Sequence, residues 1–316
     1  MRKIAGLFFV AIILIVAGCS KVEKYPSKQI GVVVGASAGG TSDVVTRFLA
    51  KAVEGELGVP LVVTNKAGGS SAVATEYMTA QKPDGYNIMY MPVESAMIKA
   101  LGLSNIEPKD IRYFARAMTL PAAIAVNAES PYKSFEELIE FAKTHPGEIK
   151  TGNAGTGSIW HFAAVGIEKA CGVKFNHVPF DGGAAAATAL MGGHIDLVTV
   201  APGEIKSGVE SGKLRVLAIA DNQRSALYPD VPAFAELGYT VEVLGWGTFA
   251  APGNTPDDVL KVLEDSFAKA IQSKEFEELC VKYGLTPAYL NAADTQKFAE
   301  EQAAWYQKEI PSLNLR

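Results

Sequence analysis

The sequence predicts an α/β protein built as two lobes with a ligand cleft between them. Short β-rich apolar runs alternate with helical patterns along the chain, which is typical of parallel sheets covered by helices on both faces. The alternation starts afresh after Pro121. A chain of 316 residues also fits about two domains of ordinary size. In such folds the ligand binds outside the carboxyl ends of the strands.

The first lobe is predicted to begin with three strands and two helices. Residues 29–34 form a Val-rich strand that is followed by a Gly-rich turn, and a helical pattern covers residues 43–56. Residues 61–64 are the second strand, and a helix over residues 71–80 leads to the third strand at residues 87–91. These strands are short and largely apolar, as in a sheet buried on both faces.

The second lobe repeats this order, and two helices close the chain. The first helix of the second lobe opens with a capping box from Ser134 to Glu137, a pattern that satisfies free amides at a helix start. An N-cap at Thr255, followed by Pro256 and two acids, predicts a helix to about residue 273. Another helix is expected from residue 294 to about residue 310. The predicted strands of the second lobe are residues 122–126, 150–153, 175–178, 196–200 and 214–220.

Composition excludes several classes of function. The net charge is −5, with 29 Lys and Arg against 34 Asp and Glu, whereas a nucleic-acid-binding protein normally carries a basic excess. We therefore expect no nucleic-acid partner. The 3 Cys cannot form a disulfide scaffold, and none lies in a CxxC pair. Cys171 and Cys280 lie 109 positions apart in different predicted lobes, so two buried free thiols are favoured.

The N-terminal segment is predicted to be a lipoprotein signal peptide over residues 1–18. Arg2 and Lys3 precede thirteen nearly unbroken apolar residues, too few to span a hydrocarbon core of about 30 Å. Small residues then precede Cys19, as in a bacterial lipobox, so Cys19 would carry the lipid and residues 19–28 would form a tether. The protein is expected in the periplasm or on the outer face of the cell membrane, held by its lipid alone. The alternative is a plain signal peptide with an incidental Cys.

The turn after the first strand contains the pattern GxSxG, in which Ser37 would be the nucleophile of an exported serine hydrolase. Such an enzyme needs an acid and then a His base late in the chain. All four His lie in the middle, and 122 residues follow the last of them, so the order of a catalytic triad is lacking. We expect a protein without catalytic activity and keep the Ser37 hydrolase as an alternative.

No cofactor or metal site is predicted. The glycines of residues 152–158 are spaced GxxGxG rather than GxGxxG, and the chain contains no GxxxxGK[ST] sequence, which disfavours nucleotide binding. His161, His177 and His194 are too far apart in sequence to suggest a metal site, and there is no HExxH motif.

Four Gly-rich or small-residue turns are the candidate binding elements. Each follows a predicted strand and opens a helix, so it presents unpaired N–H groups and the positive end of the helix dipole, which together bind anions. Four such turns at one cleft could hold a small molecule by a carboxylate at each end, with Lys66 as the cation beside them. The alternative is that the glycines serve turn geometry alone. The candidate residues in these turns are Ser37, Gly39, Gly40, Thr41, Gly68, Gly69, Gly155, Thr156, Gly157, Ser158, His161, Asp181, Gly182 and Gly183.

A series of short motifs resembles a known family. It begins with Gly39-Gly40-x-x-Asp43-x-x-x-Arg47 and continues with NKAGG at 65–69, PDGY at 83–86 and HVPFxGG at 177–183. GGHID at 192–196, PDVP at 229–232 and APGxTP at 251–256 complete the series. In this order, from about residue 29 to about residue 310, the motifs are similar to those of the substrate-binding receptors of tripartite tricarboxylate transporters, also called the Bug family.

The resemblance implies a two-lobe periplasmic-binding-protein fold of type II that closes on its ligand. Lobe 1 would be residues 29–122 with about 226–316, and lobe 2 residues 123–225. It also implies a receptor, expected to be a monomer, that has no catalysis or cofactor and delivers a small organic carboxylate to a two-component membrane permease. A receptor for another transporter class or for a sensor protein is the closer alternative. The positions that match the ligand-binding turns are Gly39, Gly40, Gly155, Gly157, Ser158, Gly182 and Gly183. Asp43 and Arg47 also match, and a helix-capping or ion-pair role fits them as well as ligand contact does.

Two acids depart from the family pattern. Glu94 follows the third strand and is expected near the cleft, and Asp181 stands where the family has a Lys. Unpaired carboxylates beside an anion site cost affinity unless they recognise an amine or a hydroxyl. They therefore disfavour a highly charged tricarboxylate, whereas a smaller or zwitterionic ligand is compatible with them.

Overall fold

The structure is a computed structural model that describes residues 24–36, 38–180, 182–240 and 244–313. The predicted signal peptide, Cys19 and part of the tether fall outside these ranges, as do Ser37 and Asp181. Within the described ranges, no helix combines the length and the apolar character that crossing a membrane requires.

The strands form two sheets, as expected for an α/β protein of two lobes. The first sheet has the order β11-β4-β10-β3-β1-β2 and the second has the order β7-β6-β8-β5-β9. The strands are β1 (Ile30–Val34), β2 (Leu61–Asn65), β3 (Asn87–Pro92), β4 (Ile111–Leu120), β5 (Ala122–Asn127), β6 (Lys150–Asn153), β7 (Asn176–Pro179), β8 (Leu197–Val200), β9 (Leu214–Ala220), β10 (Gly245–Pro252) and β11 (Thr286–Leu290).

Both sheets are mixed, so the expectation of purely parallel sheets is wrong. β1 runs parallel to β2 and β3, and β6 runs parallel to β7 and β8. β10 is antiparallel to β3 and β4, and β5 is antiparallel to β8 and β9. The antiparallel pairs arise because the chain passes directly from β4 in the first sheet to β5 in the second and later returns through β10. The sequence pattern predicted β5, as residues 122–126, but neither β4 nor β10.

Helices cover the faces of both sheets and bring three helix starts to the same edge. α1 follows β1, α4 follows β6 and α5 follows β7, in each case after a turn of three to six residues at the carboxyl end of the strand. Val45, Leu49 and Val53 repeat every four residues on α1 and are fully buried, which fixes this helix against the sheet. The helices are α1 (Thr41–Leu57), α2 (Ala72–Thr79), α3 (Phe135–Thr144), α4 (Ile159–Cys171), α5 (Gly183–Met191), α6 (Lys206–Glu210), α7 (Asp257–Ile271), α8 (Lys274–Tyr283) and α9 (Ala292–Glu309).

Cys171 is the last residue of α4 and Cys280 lies within α8, and both are buried free cysteines. Burial raises the pKa of both thiols, that of Cys280 to about 12. These thiols therefore stay protonated at neutral pH and act as small apolar side chains.

Candidate ligand-binding cleft

A cavity of about 340 Å³ lies between the two sheets and receives residues from both. The first turns of α1, α4 and α5 open onto it, together with the carboxyl end of β3 and the start of β10. Its lining residues are Ala36, Gly40, Thr41, Ser42, Tyr90, Pro92, Val93, Glu94, Met118, Leu120, Ile159, Trp160, Gly182, Gly183, Ala184, Ala201, Glu204, Gly245 and Trp246.

The start of α1 forms one wall of the cavity. Gly40 is its N-cap residue, and Thr41 and Ser42 are its first helical residues. The amides of a first helical turn have no partner within the helix, so they remain available to a ligand. The predicted Gly39 amide is already used, because it donates to Asp43 Oδ2 at 2.9 Å. Of the predicted residues of this turn, Gly40 and Thr41 thus line the cavity, together with Ser42, which was not predicted.

Asp43 and Arg47 hold this turn from behind. Arg47 Nε donates to Asp43 Oδ1 at 2.9 Å, and Asn65 Nδ2 donates to the same oxygen at 2.9 Å. Asn65 also donates to the Ala36 carbonyl, which lies at the cavity wall. Burial acts to raise the pKa of Asp43, but the hydrogen bonds from Arg47, Gly39 and Asn65 outweigh it and lower the pKa. The two side chains therefore form an ion pair, Asp43 also accepts from the amide that precedes the N-cap residue, and neither side chain is among those that line the cavity.

The turn before α4 uses most of its predicted donors internally. Gly155 N–H donates to Asn153 Oδ1 at 3.1 Å and Gly157 N–H donates to His161 Nδ1 at 3.1 Å. Ser158 Oγ caps the helix by accepting from the His161 amide at 3.2 Å. Gly155, Gly157, Ser158 and His161 therefore support the turn, and Thr156 is exposed. The residues of α4 that line the cavity are Ile159 and Trp160.

His161 and His177 lie together although they are distant in sequence. Their ring centroids are 4.7 Å apart, because α4 connects the neighbouring parallel strands β6 and β7. Burial and His177 lower the pKa of His161 to about 4, so the ring is neutral and can accept the Gly157 proton. His177 Nε2 lies 3.4 Å from Glu168 Oε1. The described residues contain no group of three or more His, Cys, Asp or Glu able to hold a metal.

The start of α5 is covered by a glutamate that sequence analysis missed. Glu204 Oε2 accepts from the Ala201 amide at 2.9 Å, and a Cβ atom at Gly183 would overlap its carboxylate. Gly182, at a φ of +104°, turns the chain into the helix. Burial, with a smaller effect of Glu94, raises the pKa of Glu204 to about 7. The A-P-G-E sequence, which has a Pro followed by a Glu at the third helical position, was the available signal.

Glu94 reaches from the first sheet to the start of α4. It lies in the 3₁₀ turn Val93–Ala96 and is half-buried. Burial raises the pKa of Glu94, and the amides of Glu94 itself and of Ile159 oppose that shift by hydrogen bonding to the carboxylate. Glu94 and Glu204 are the only charged side chains among the described residues that line the cavity. The expected place of Glu94 near the cleft therefore agrees with the structure.

The floor of the cavity consists of side chains that the sequence did not single out. Tyr90, Met118, Leu120 and Trp246 are all less than a tenth exposed and come from β3, β4 and β10. The Tyr90 hydroxyl lies near Ser42 but has no hydrogen-bond partner within the described part of the chain. A Cβ atom at Gly247 would overlap this hydroxyl, so a glycine in β10 is required there. A Gly on either side of a Trp in an apolar run was the available signal.

One predicted turn is not at the cavity. Gly68 and Gly69 lie between β2 and α2 and are absent from the lining residues. Ser71 Oγ donates to the Gly35 carbonyl at 3.0 Å, which ties this turn to the end of β1. Lys66 Nζ lies 4.1 Å from the centre of the Tyr77 ring and is likewise not in the lining. Ser37 and Asp181 stay predictions because they are outside the described residues, and none of the four His lines the cavity.

Comparison with known proteins places these observations in a family. The family model of the tripartite tricarboxylate transporter family receptor matches residues 45–315. A UPF0065 protein from the gbd 5' region of Cupriavidus necator is 31% identical and covers 94% of this chain and 90% of its own length. The protein BugT of Bordetella pertussis is 29% identical, over 90% of this chain and 89% of its own length.

Solved structures share the fold. A TctC solute binding protein from Polaromonas is 34% identical, with a TM-score of 0.77 over 92% of this chain and 100% of its own. Rpa4515 of R. palustris was solved with adipate and MatC of Rhodopseudomonas palustris with malate. Rpa4515 is 24% identical, with a TM-score of 0.81 over 90% of this chain and 96% of its own. MatC is 21% identical, with a TM-score of 0.78 over 90% of this chain and 100% of its own. The predicted two-lobe periplasmic-binding-protein fold is confirmed.

Proposed function

Because this chain belongs to the tripartite tricarboxylate transporter receptor family, we propose that it captures one small organic carboxylate between its lobes and hands it to a two-component membrane permease. The coarser role, a carboxylate-binding receptor that serves a transporter and acts outside the cytoplasm, is that of the family. What we propose beyond this role is where the carboxylate binds, which residues form each lobe, and that the acceptor of the ligand is a two-component permease.

The observation that carries the proposal is the convergence of three helix starts on one cavity. Residues of the first turns of α1, α4 and α5 line the same space, and they come from both sheets. Unpaired first-turn amides and the helix dipole together favour a negative group by about 0.3–1 kcal/mol per helix at exposed sites and more when the site is partly buried. A carboxylate bound there needs no arginine or lysine.

The size of the cavity suits a small acid. Its volume of about 340 Å³ lies at the lower end of the usual range for ligand pockets, about 300–1,000 Å³. Adipate and malate, the molecules bound in the two R. palustris neighbours, are small organic acids of the kind that such a cavity admits. We infer that Gly40, Thr41 and Ser42, in the first lobe, bind a carboxylate of the ligand. Ile159, Trp160, Gly182 and Gly183 complete the wall from the second.

The lobes are proposed to be residues 29–122 with about 226–316, and residues 123–225. The change of sheet between β4 and β5 and the return of the chain through β10 support this division. Because the ligand would contact both lobes, it stabilises the closed form. A further part of the proposal is that Cys19 carries a lipid, that the receptor is a monomer and that it has no catalytic activity.

A thermal-shift and calorimetric screen of carboxylates tests the proposal. A ligand at a hundredfold excess over its Kd should raise the free energy of unfolding by about 2.7 kcal/mol. We expect at least one small carboxylate to raise the melting temperature in a saturable manner, without turnover of ester substrates. A protein stabilised by sugars or metal ions, and by no organic acid, would contradict the proposal.

A further inference from the structure

The cavity has an acidic side that a dicarboxylate does not explain. Glu94 and Glu204 line it, and no Lys, Arg or His accompanies them among the described lining residues. The two carboxylates are close enough for Glu94 to act on the pKa of Glu204. A second negative ligand group beside two glutamates would be opposed by both of them.

These glutamates also occupy the helix starts of the second sheet. The Ile159 amide at the start of α4 bonds the Glu94 carboxylate. The Glu204 carboxylate lies over Gly183 at the start of α5 and accepts from the Ala201 amide. On this wall one helix-start amide therefore already bonds a carboxylate of the protein, and a second carboxylate covers the start of α5. At the start of α1 the nearby acid, Asp43, is turned to Gly39 and Arg47 instead, and the Thr41 and Ser42 amides remain open to a ligand.

An unpartnered buried hydroxyl lies between the two walls. Tyr90 is 0% exposed, lines the cavity and has no hydrogen-bond partner in the described part of the chain. It lies near Ser42 on one side and within the electrostatic reach of Glu94 on the other. Leaving such a group unpaired costs about 1–3 kcal/mol, so a polar ligand group is expected to meet it.

We propose that the ligand is an amino-carboxylate, whose carboxylate binds the Thr41 and Ser42 amides with the Tyr90 hydroxyl and whose ammonium group lies between Glu94 and Glu204. This inference rests on the proposed function, because it takes the start of α1 as the carboxylate site. The ammonium group supplies the positive charge that the cavity lacks, and its three donors match the free acceptor positions of the two carboxylates.

Proton linkage distinguishes this ligand from an acid without an amine. Tyr90 from β3 and Tyr306 from α9 lie within the electrostatic reach of Glu94, and burial raises the pKa of both tyrosines, so they stay neutral. Lys206, next along α6, is directed to Glu210 at 3.8 Å. Because burial raises the pKa of Glu204 to about 7, an ammonium group should expel a proton from the pair. A ligand that places a second carboxylate there should instead cause the glutamate pair to take up a proton.

The experiment compares acids with their amino counterparts of equal chain length by isothermal titration calorimetry on the full chain. Malate is compared with aspartate, adipate with 2-aminoadipate, and the remaining two- to six-carbon acids with their 2-amino and terminal-amino forms. We expect an amino form to bind about 10- to 100-fold more tightly than its partner. Titrations in buffers of different ionisation enthalpy should show net proton release, with affinity rising from about pH 6 to about pH 8.

Two variants locate the effect, and a third is the control. Glu94→Gln and Glu204→Gln keep the shape of the side chain and should each remove most of the preference for the amino form. Glu76→Gln, on the exposed face of α2, should keep it. Circular dichroism melts show whether each variant is folded. The number of protons released on binding is measured on the wild-type chain, so that test does not depend on the folding of any variant.

The outcomes separate this inference from the proposed function. If an acid without an amine binds as tightly as its amino form, or with proton uptake, the inference is overturned and the carboxylate receptor stands. If no acid of either kind binds, both are overturned. An amino form that binds preferentially, but equally well in both glutamine variants, also overturns the inference, because the amine is then recognised elsewhere.

Discussion

The replacement of Thr41 by proline tests the amide at the start of α1 without removing the helix. Thr41 is the first residue of α1, where proline is well tolerated because its fixed φ suits the helix and its missing N–H has no helical partner. The preceding Gly40 has φ −75° and ψ 169°, an extended conformation compatible with a following proline. Thr41→Pro therefore removes the amide donor while the fold is retained.

The magnitude follows from the loss of one hydrogen bond to a charged acceptor. Such a bond contributes about 1.5–3 kcal/mol, which corresponds to about a 10- to 150-fold weaker Kd. The hydroxyl of Thr41 is lost as well, so Thr41→Ala is the matched control, because it removes the hydroxyl and keeps the amide. The ratio of the two Kd values isolates the contribution of the N–H group.

Calorimetry with the tightest carboxylate from the screen measures both variants, and thermal melts of the empty proteins check the fold. We expect Thr41→Pro to bind at least about tenfold more weakly than Thr41→Ala, with melting temperatures of the empty proteins within a few degrees. Equal affinities of the two variants would refute the reasoning, because the ligand would then not use this amide.

Two further predictions rest on individual contacts, and a third rests on the lipobox sequence. Gly183→Ala places a Cβ atom where the Glu204 carboxylate lies, so calorimetry should show weaker ligand binding than in the exposed control Gly55→Ala on α1. Asp43→Asn should cost about 1.5–3 kcal/mol of stability at neutral pH. Because the pKa of Asp43 is lowered in the folded state, this difference in urea unfolding should shrink as the pH falls below the unfolded pKa of about 3.9; a difference that grows in acid would refute it. Cys19→Ala should move the protein from the membrane fraction to the soluble fraction, and unchanged fractionation would contradict lipidation at Cys19.

The local part of the site was predictable from the sequence, including Thr41 at the start of α1, although Ser42 was not predicted. The sequence pattern of a strand, a turn of small residues and a helix is enough to locate the starts of α1, α4 and α5. Three glycine amides of these turns are hydrogen-bonded within the turn and are not available to a ligand. Their acceptors are the side chains of Asp43, Asn153 and His161, which lie two to four residues away. Side chains of this kind commonly bond nearby backbone, so the free donors shift into the first helical turn.

The remainder of the cavity depends on contacts between distant segments. Tyr90 and Trp246 lie more than 150 positions apart and meet because β10 pairs with β3. β10 was not predicted, because its glycines and its terminal proline weaken the sequence pattern of a strand. All eight of its residues are buried, and this burial favours the strand despite its low propensity. The place of Glu204 over Gly183 likewise requires the pairing of β8 in the second sheet. Sequence periodicity carries no information on such pairings.

A crystal structure with the tightest carboxylate bound tests the central claim most directly. The account predicts a carboxylate oxygen about 2.7–3.2 Å from the Thr41 or Ser42 amide nitrogen, with residues of α4 or α5 closing over the ligand from the other lobe. A carboxylate held instead by arginine or lysine side chains outside this cavity, with the amides of α1 still free, would contradict it.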